Sequence, residues 1–382
     1  MFRNSTIKRY FVSTVKQKIT KHFESNVQND ILSKFPSHYQ KISKKKKPSA
    51  IYVADNEAAK IIANSIKRFH KTDVSFFEVN PGPCILTERL LSQLQQIRLY
   101  LIESNSDFDT IQEQHVASTN RILGRHTGFT YLSRPKTIEF ILSNIQMNHS
   151  WPEEIVGQIF QFIIDGEATS IMINDAIKRE RLFLKGRIEM FALMPKFEYN
   201  RLMAGPTSGY HMYTRKSCLF QILFECEKLN QILARQMLPW WYPNISSKRF
   251  KNVEDDRDTF YLTRITPRAN ILTANCAKED LQSLKFFVNQ CFFKRKAYII
   301  PKFEQWASGI GKDLIIYLSK SKTDTNSNEI DNNPDLLASI GVFTQFGMLS
   351  PPQILLLFKI FKNSSHYENS NFHRLYKNKM EN

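Results

Sequence analysis

The 382-residue chain carries 53 Lys and Arg against 36 Asp and Glu, a formal net charge of +17, and 42% of its residues are hydrophobic. That length and composition can bury a core over roughly two to three domains, and the charge calls for a polyanionic partner, nucleic acid first and an anionic membrane surface second. No apolar run approaches the ~18 residues of a membrane span: the longest, Ile354 to Phe361, is short and carries Lys359, so it reads as a core helix.

Residues 1–30 begin basic and hydroxylated, with no acid before Glu24, and Phe2, Tyr10, Phe11, Val12, Val15 and Ile19 share one side if the segment is helical. This pattern predicts a mitochondrial transit peptide. Residues 31–49, with the run Lys44 to Lys47, read as a basic, solvated linker able to touch phosphates.

The folded part is expected from residue 50. Ile51 to Val53 is extended, and Asp55 or Asn56 caps a helix that buries Ala58, Ala59, Ile62, Ile66 and Phe69. Val74 to Val79 suits a buried parallel strand. Pro81, Gly82 and Pro83 stop it, and Leu86, Leu90, Leu91 and Leu94 then mark a helix face. A strand, a Gly turn and a helix N-terminus form the arrangement by which open α/β sheets hold nucleotide-like ligands. Arg98 to Glu103 reads as a second strand ending in an acid about 20 residues after the turn, the ribose-binding position of a doubly wound fold. A solvated loop acid is the plainer alternative.

Polar residues after Glu103 introduce a partly helical stretch to Asn120, and a third strand is expected between Gly124 and Pro135. Further strands are read over Glu154–Phe160 and Arg187–Leu193, the second leading into a helix around Phe197–Met203. A long helix is read over Tyr210–Leu229, then strands near Gln231–Met237 and over Phe260–Thr266. The alternation is that of an α/β domain over 50–273. From 274 to 382 only helices are expected, beginning with the stripe Leu281, Leu284, Val288, Cys291 and Phe292. Ser319–Asn333 reads as a mobile loop and the tail from Asn363 as polar and frayed.

Five cysteines lack a C-x-x-C pair, and His126, His149 and His211 have no metal-type spacing, so no metal site is indicated. Pro239-Trp240-Trp241-Tyr242-Pro243 either stacks an unpaired base or seals a sheet edge. Arg264, Arg268, Lys294, Arg295 and Lys296 are candidate phosphate contacts, although any one of them is more simply a solvated basic residue.

Four stretches carry a resemblance: Glu78-Val79-Asn80-Pro81-Gly82-Pro83-Cys84-Ile85-Leu86-Thr87, Lys185-Gly186-Arg187-Ile188-Glu189, Phe197 to Pro206, and Leu262-Thr263-Arg264-Ile265-Thr266-Pro267-Arg268-Ala269-Asn270-Ile271-Leu272-Thr273. In this order, spanning Ile51 to Arg295, they resemble the rRNA adenine dimethyltransferase family, and within it the mitochondrial transcription factor B branch of second-paralogue type.

The resemblance implies a Rossmann-like class I methyltransferase domain with a small C-terminal all-helical domain, located in the mitochondrial matrix nucleoid. It implies S-adenosylmethionine near Val53, Glu78, Asn80, Gly82 and Glu103. It also implies a role with the mitochondrial RNA polymerase at melted promoter DNA, or, as the alternative, methylation of small-subunit rRNA. The departures from the family pattern bear on that choice. Asn80 and Cys84 replace two glycines of the turn, and the third-motif acid is replaced near Gly128. The reaction motif, aligned on Gln158, Ile159, Phe160 and Gln161, lacks its Pro and its stacking aromatic. No catalytic residue is therefore assigned. Methyl transfer depends on holding the amine in line with the methyl group, so poor turnover is expected.

Overall fold

The computed structural model describes residues 26–40, 48, 50–127, 134–145, 154–163, 166–239, 258–271, 278–320 and 340–381. The expectations for the presequence before residue 26, for Lys44 to Lys47, for Gly128, for His149, for Trp240 and Trp241, and for the polar segment from residue 321 fall outside the described residues. The chain divides into two compact units. The first comprises 1–171, 180–199 and 225–267, and the second comprises 172–179, 200–224 and 268–382. Two short segments from within the span 50–273 thus group with the C-terminal residues.

The first unit is built on a seven-stranded sheet in the order β4-β3-β2-β5-β6-β9-β7. Its strands are β2 (Ser75–Val79), β3 (Arg98–Glu103), β4 (Ile122–Thr127), β5 (Ile155–Phe162), β6 (Arg187–Pro195), β7 (Phe224–Leu233) and β9 (Thr259–Pro267). β2 pairs in parallel with β3 and β5, β3 with β4, and β5 with β6, whereas β9 runs antiparallel to β6. This is a doubly wound Rossmann-like sheet whose strand order reverses at β2, with β3 on one side and β5 on the other. Ligands of such sheets bind beyond the strand C-termini at that reversal. Ser75 to Val79 are all buried, as a central parallel strand requires.

A second, two-stranded pairing joins β1 (Tyr52–Val53) to β8 (Met237–Leu238). Helix α2 (Asn56–Lys67) follows, with Asp55 as its cap: the extended Asp55 accepts from the Ala58 amide at 2.7 Å. Ala58, Ala59, Ile62, Ala63 and Ile66 form its buried face, while Phe69 is only half buried. Helix α3 (Ile85–Gln93) starts directly from the Gly turn and buries Ile85, Leu86 and Leu90. Helix α4 (Asp109–Ser118) follows β3, α5 (Pro135–Ser143) precedes β5, and α6 (Gly166–Lys178) and α7 (Lys196–Leu202) follow β5 and β6.

Three expectations need correction. Residues 31–40 do not form a solvated linker: α1 (Asn26–Ser33) and the turn after it place Ile31 (3% exposed) and Phe35 (2%) in the core of the first unit. The helix read over Tyr210–Leu229 is in fact α8 (Arg215–Leu223), opened by a Thr214/Ser217 capping box, after which the chain turns extended at Phe224 and continues as β7. Periodicity at Leu219, Ile222, Leu223 and Cys226 hid that change, because Phe224 and Ile232 are also buried, from a strand. The separate strand read near Gln231–Met237 is the end of β7, a 3-10 turn and the start of β8. Finally, the tail is not frayed: α13 (Asn371–Glu381) buries Phe372 and Tyr376 one turn apart.

The second unit also contains α9 (Lys278–Phe293), α10 (Ile299–Trp306), α11 (Ile310–Lys320) and α12 (Pro351–Lys362). Its centre is aromatic: Phe287, Phe303, Trp306, Phe361 and Phe372 pack with ring centroids 5.3–6.3 Å apart. The Ile354 run buries Ile354, Leu356, Leu357, Phe358 and Phe361 on α12, as its composition predicted. Among the described residues no helix is long and apolar enough to cross a membrane, and no His, Cys, Asp and Glu cluster could hold a metal ion.

Candidate functional site

The turn after β2 is left-handed at three residues, Asn80 (φ 59°), Gly82 (φ 55°) and Cys84 (φ 65°). Asn tolerates this region better than most residues and Cys tolerates it poorly, so Cys84 marks local strain. Cys84 is fully buried and gives the helix no side-chain cap. The Asn80 Oδ1 is buried without a hydrogen-bond partner. Gln112 of α4 donates to the Gly82 carbonyl at 2.9 Å and accepts from Arg125 Nε at 2.9 Å, bracing the turn from below.

Two acids flank the turn. Glu78, 1% exposed, accepts from the Thr87 hydroxyl at 2.8 Å. Burial outweighs that bond and pushes its pKa up to about 8. Glu103, also 1% exposed, ends β3 as the spacing predicted. Its Oε2 accepts from the Gly82 amide at 3.1 Å, and its Oε1 from the Ser104 and Asn105 amides at 2.9 and 3.0 Å and from the Tyr52 hydroxyl at 3.2 Å. Burial raises the Glu103 pKa, and these bonds oppose the shift.

The space over Gly82 belongs to Tyr52. A Cβ on residue 82 would meet the Tyr52 ring at 2.6 Å, and Tyr52 itself is 0% exposed. Val53, named as a cofactor residue through the resemblance, is 4% exposed and paired with Met237. Sequence reasoning identified Glu78, Asn80, Gly82 and Glu103, which the structure brings together, but it missed Tyr52 and Phe108. An aromatic residue just before the Asp55 cap was the available signal.

Gln158 lies elsewhere. It stands opposite Phe76 and Glu189, towards the N-terminal ends of these parallel strands, and donates to Glu189 at 2.7 Å and to the Phe69 carbonyl at 2.8 Å. The Lys71 amide donates to it at 3.2 Å, and the His70 ring nitrogen lies 3.1 Å away. Ile159 and Phe160 are buried within β5. Gln161, half buried, is the member of the four nearest the strand's C-terminal end. Arg264 joins the same network: it contacts the fully buried Glu189 at 2.7 Å and lies 4.3 Å over the Phe69 ring. Arg268 Nε donates to the Gln221 carbonyl at 3.4 Å.

The remaining basic candidates gather on the second unit. Lys294 and Lys296 are exposed. Arg295 donates to the Tyr210 and Tyr213 carbonyls at 3.0 and 2.9 Å and lies 4.1 Å over the Tyr210 ring. Beside it opens a cleft of about 710 Å³, whose lining includes Tyr210, Arg215, Phe293, Arg295 and Lys379, and no acid. Tyr210 and Phe293 are 61% and 81% exposed. Inside this unit Lys285 has a lowered pKa, through burial first and then through the like charges of Lys178, Lys379 and Arg215. Cations interleaved with exposed rings suit single-stranded nucleic acid. Tyr210 and Arg215 were missed, and so was Lys379, because the segments that together line the cleft lie far apart in sequence.

Over 360 residues the chain is 30% identical to the mitochondrial dimethyladenosine transferase 2 of Drosophila melanogaster, covering 86% of this chain and 79% of that protein. The chain belongs to the mitochondrial dimethyladenosine transferase 2 family. The human member is 22% identical over 301 residues, 72% of each chain. No family model matches the sequence. Among solved structures, a dimethyladenosine transferase from Plasmodium falciparum is similar at 13% identity, with a TM-score of 0.45 over 80% of this chain and 94% of that one.

At the turn after β2 the Tyr52 ring packs against Gly82, and the Glu103 carboxylate accepts four hydrogen bonds from within the chain.

Proposed function

We propose that the chain acts in mitochondria as a transcription initiation factor, joining the mitochondrial RNA polymerase and holding melted promoter DNA. The observation that carries this reading is the cleft of the second unit, which joins cations to exposed rings and is lined by no acid. The charge of +17 supports a polyanionic partner. In the second unit, the cleft lined by Tyr210, Phe293, Arg215, Arg295 and Lys379 offers stacking surfaces and phosphate contacts for unpaired bases. Lys294 and Lys296 extend the basic surface at the end of α9, and Trp240 and Trp241 are further stacking candidates. The nucleoid, where promoter DNA resides, is the corresponding location.

The second reading is an S-adenosylmethionine-dependent small-subunit rRNA adenine dimethyltransferase. It is favoured by the retained Glu78 and Glu103 at the turn and by the names of the relatives. Run-off transcription by the cognate mitochondrial polymerase, on a duplex promoter and on a pre-melted one, separates the two. The proposal expects the duplex template to need this chain and the pre-melted template to need it much less. Transcription indifferent to the chain on both templates, with labelled methyl transfer to a small-subunit rRNA hairpin, would establish the second reading instead.

A further inference from the structure

Tyr52 is not alone over the cofactor turn. Phe35 and Tyr39, from the segment that follows α1, pack with Tyr52 and Phe108 into one aromatic cluster. The Phe35 ring lies 6.2 Å from Tyr52 and 5.8 Å from Phe108, Tyr39 lies 5.4 and 5.7 Å from the same two, and Tyr52 and Phe108 are 5.1 Å apart. Phe35, Tyr52 and Phe108 are at most 2% exposed. Polar contacts hold the cluster in place. Asn105, two residues beyond Glu103, donates from Nδ2 to the Tyr39 hydroxyl. Gln40 ties the segment into a closed turn by donating to the Leu32 and Phe35 carbonyls at 3.1 Å each.

An adenosyl ligand at such a turn needs a ribose hydroxyl on the acid that ends the second strand and apolar surface for its base. The cluster supplies substitutes for both. The Tyr52 phenol donates to Glu103, and the surface beyond it is covered by the Phe35 and Tyr39 rings.

We propose that residues Ile31–Gln40 are an internal plug, which seats Tyr52 over Gly82 and closes the inherited cofactor site, so that the chain binds an S-adenosyl nucleoside only with the plug displaced. The inference is independent of the transcription reading, since it concerns access to the turn and not what the second unit binds.

The probe is S-adenosylhomocysteine, titrated calorimetrically into the full chain and into the double variant Phe35→Ala/Tyr52→Ala. Because apparent affinity scales with the fraction of molecules in the open form, the variant is expected to bind at least about tenfold more tightly than the unmodified chain. Equal binding by both would overturn the plug, and so would binding by neither, because the turn itself would then be closed. Should the double variant lose cooperative melting, Tyr39→Phe and Tyr52→Phe keep both rings and remove only the hydroxyls that contact Asn105 and Glu103. They are expected to show a smaller gain in affinity, and no gain overturns the proposal. Hydrogen exchange supplies a readout independent of affinity: when S-adenosylhomocysteine binds, residues 31–40 are expected to lose protection, and binding that leaves them protected refutes displacement. None of these results bears on promoter-dependent transcription, so the two proposals fail separately.

Discussion

Arg264 was expected to contact phosphate, whereas its geometry makes it the counter-charge of a buried acid. Glu189 has no exposed side-chain surface, and beyond Arg264 it is held by the Thr266 hydroxyl at 2.9 Å and the Gln158 amide at 2.7 Å. Arg264→Ala would leave a carboxylate in the sheet with only neutral donors. Breaking such a pair from one side costs about 3–5 kcal/mol. The Arg264 side chain is 28% exposed, so water reaches the gap and the lower end applies. Loss of the contact with the Phe69 ring adds about 0.5–1 kcal/mol. Urea unfolding should show it, read by hydrogen exchange in β5, β6 and β9, because two compact units need not melt together. For a urea slope of about 2–3 kcal/mol/M, the midpoint of the first unit falls by about 1 M or more. Replacing both partners by Met should restore most of the loss, since the buried charge goes with its partner. If Arg264→Ala left the midpoint unchanged while weakening single-stranded DNA binding, Arg264 would be a phosphate ligand and the structural assignment would be wrong.

Changing Tyr210 and Phe293 to Ala should each weaken single-stranded DNA binding by about 1–3 kcal/mol, measured by fluorescence anisotropy, while Lys294→Ala with Lys296→Ala should flatten the slope of log affinity against log salt. Gly82→Ala places a methyl 2.6 Å from the Tyr52 ring at a left-handed φ, and a loss of about 1–3 kcal/mol in thermal or urea unfolding is expected. Glu78 has a folded pKa of about 8, above its unfolded value. The native state therefore holds the extra proton between those values, and its contribution to stability is full below the unfolded pKa and fades as pH rises towards about 8. Glu78→Gln should remove that slope from the stability profile, and a variant with the unaltered slope would show that Glu78 is already ionised in the native state.

What the sequence made legible was the part in which each segment buries its own pattern. The parallel strands, the Asp55 cap and the Glu103 position all follow from local apolar runs and their spacing. Chemistry assembled from distant segments was not legible. Gln158 reads as a motif position until β5 is paired with β2 and β6, and only that register puts it beside Glu189 rather than at the ligand edge. Tyr210 and Arg215, in the turn before α8 and at its start, meet Lys379 of α13 only in the folded second unit. The plug was hidden for a related reason: Phe35 and Tyr39 sit in a stretch rich in Lys and Ser, and composition outweighed the individual rings.

The hydrogen bonds of Glu103 connect the stability of the first unit to the state of its cofactor turn. A carboxylate buried this deeply is costly unless its oxygens are bonded. Three backbone amides supply part of that requirement, and the Tyr52 phenol, with its ring over Gly82, adds a fourth donor. A ribose hydroxyl would offer an equivalent bond, so ligand and phenol compete for one acceptor and the balance rests on the packing of Phe35 and Tyr39. The rings therefore stabilise the ligand-free fold by the same contacts that exclude the ligand. A chain arranged in this way keeps the methyltransferase scaffold intact without needing the cofactor to complete it.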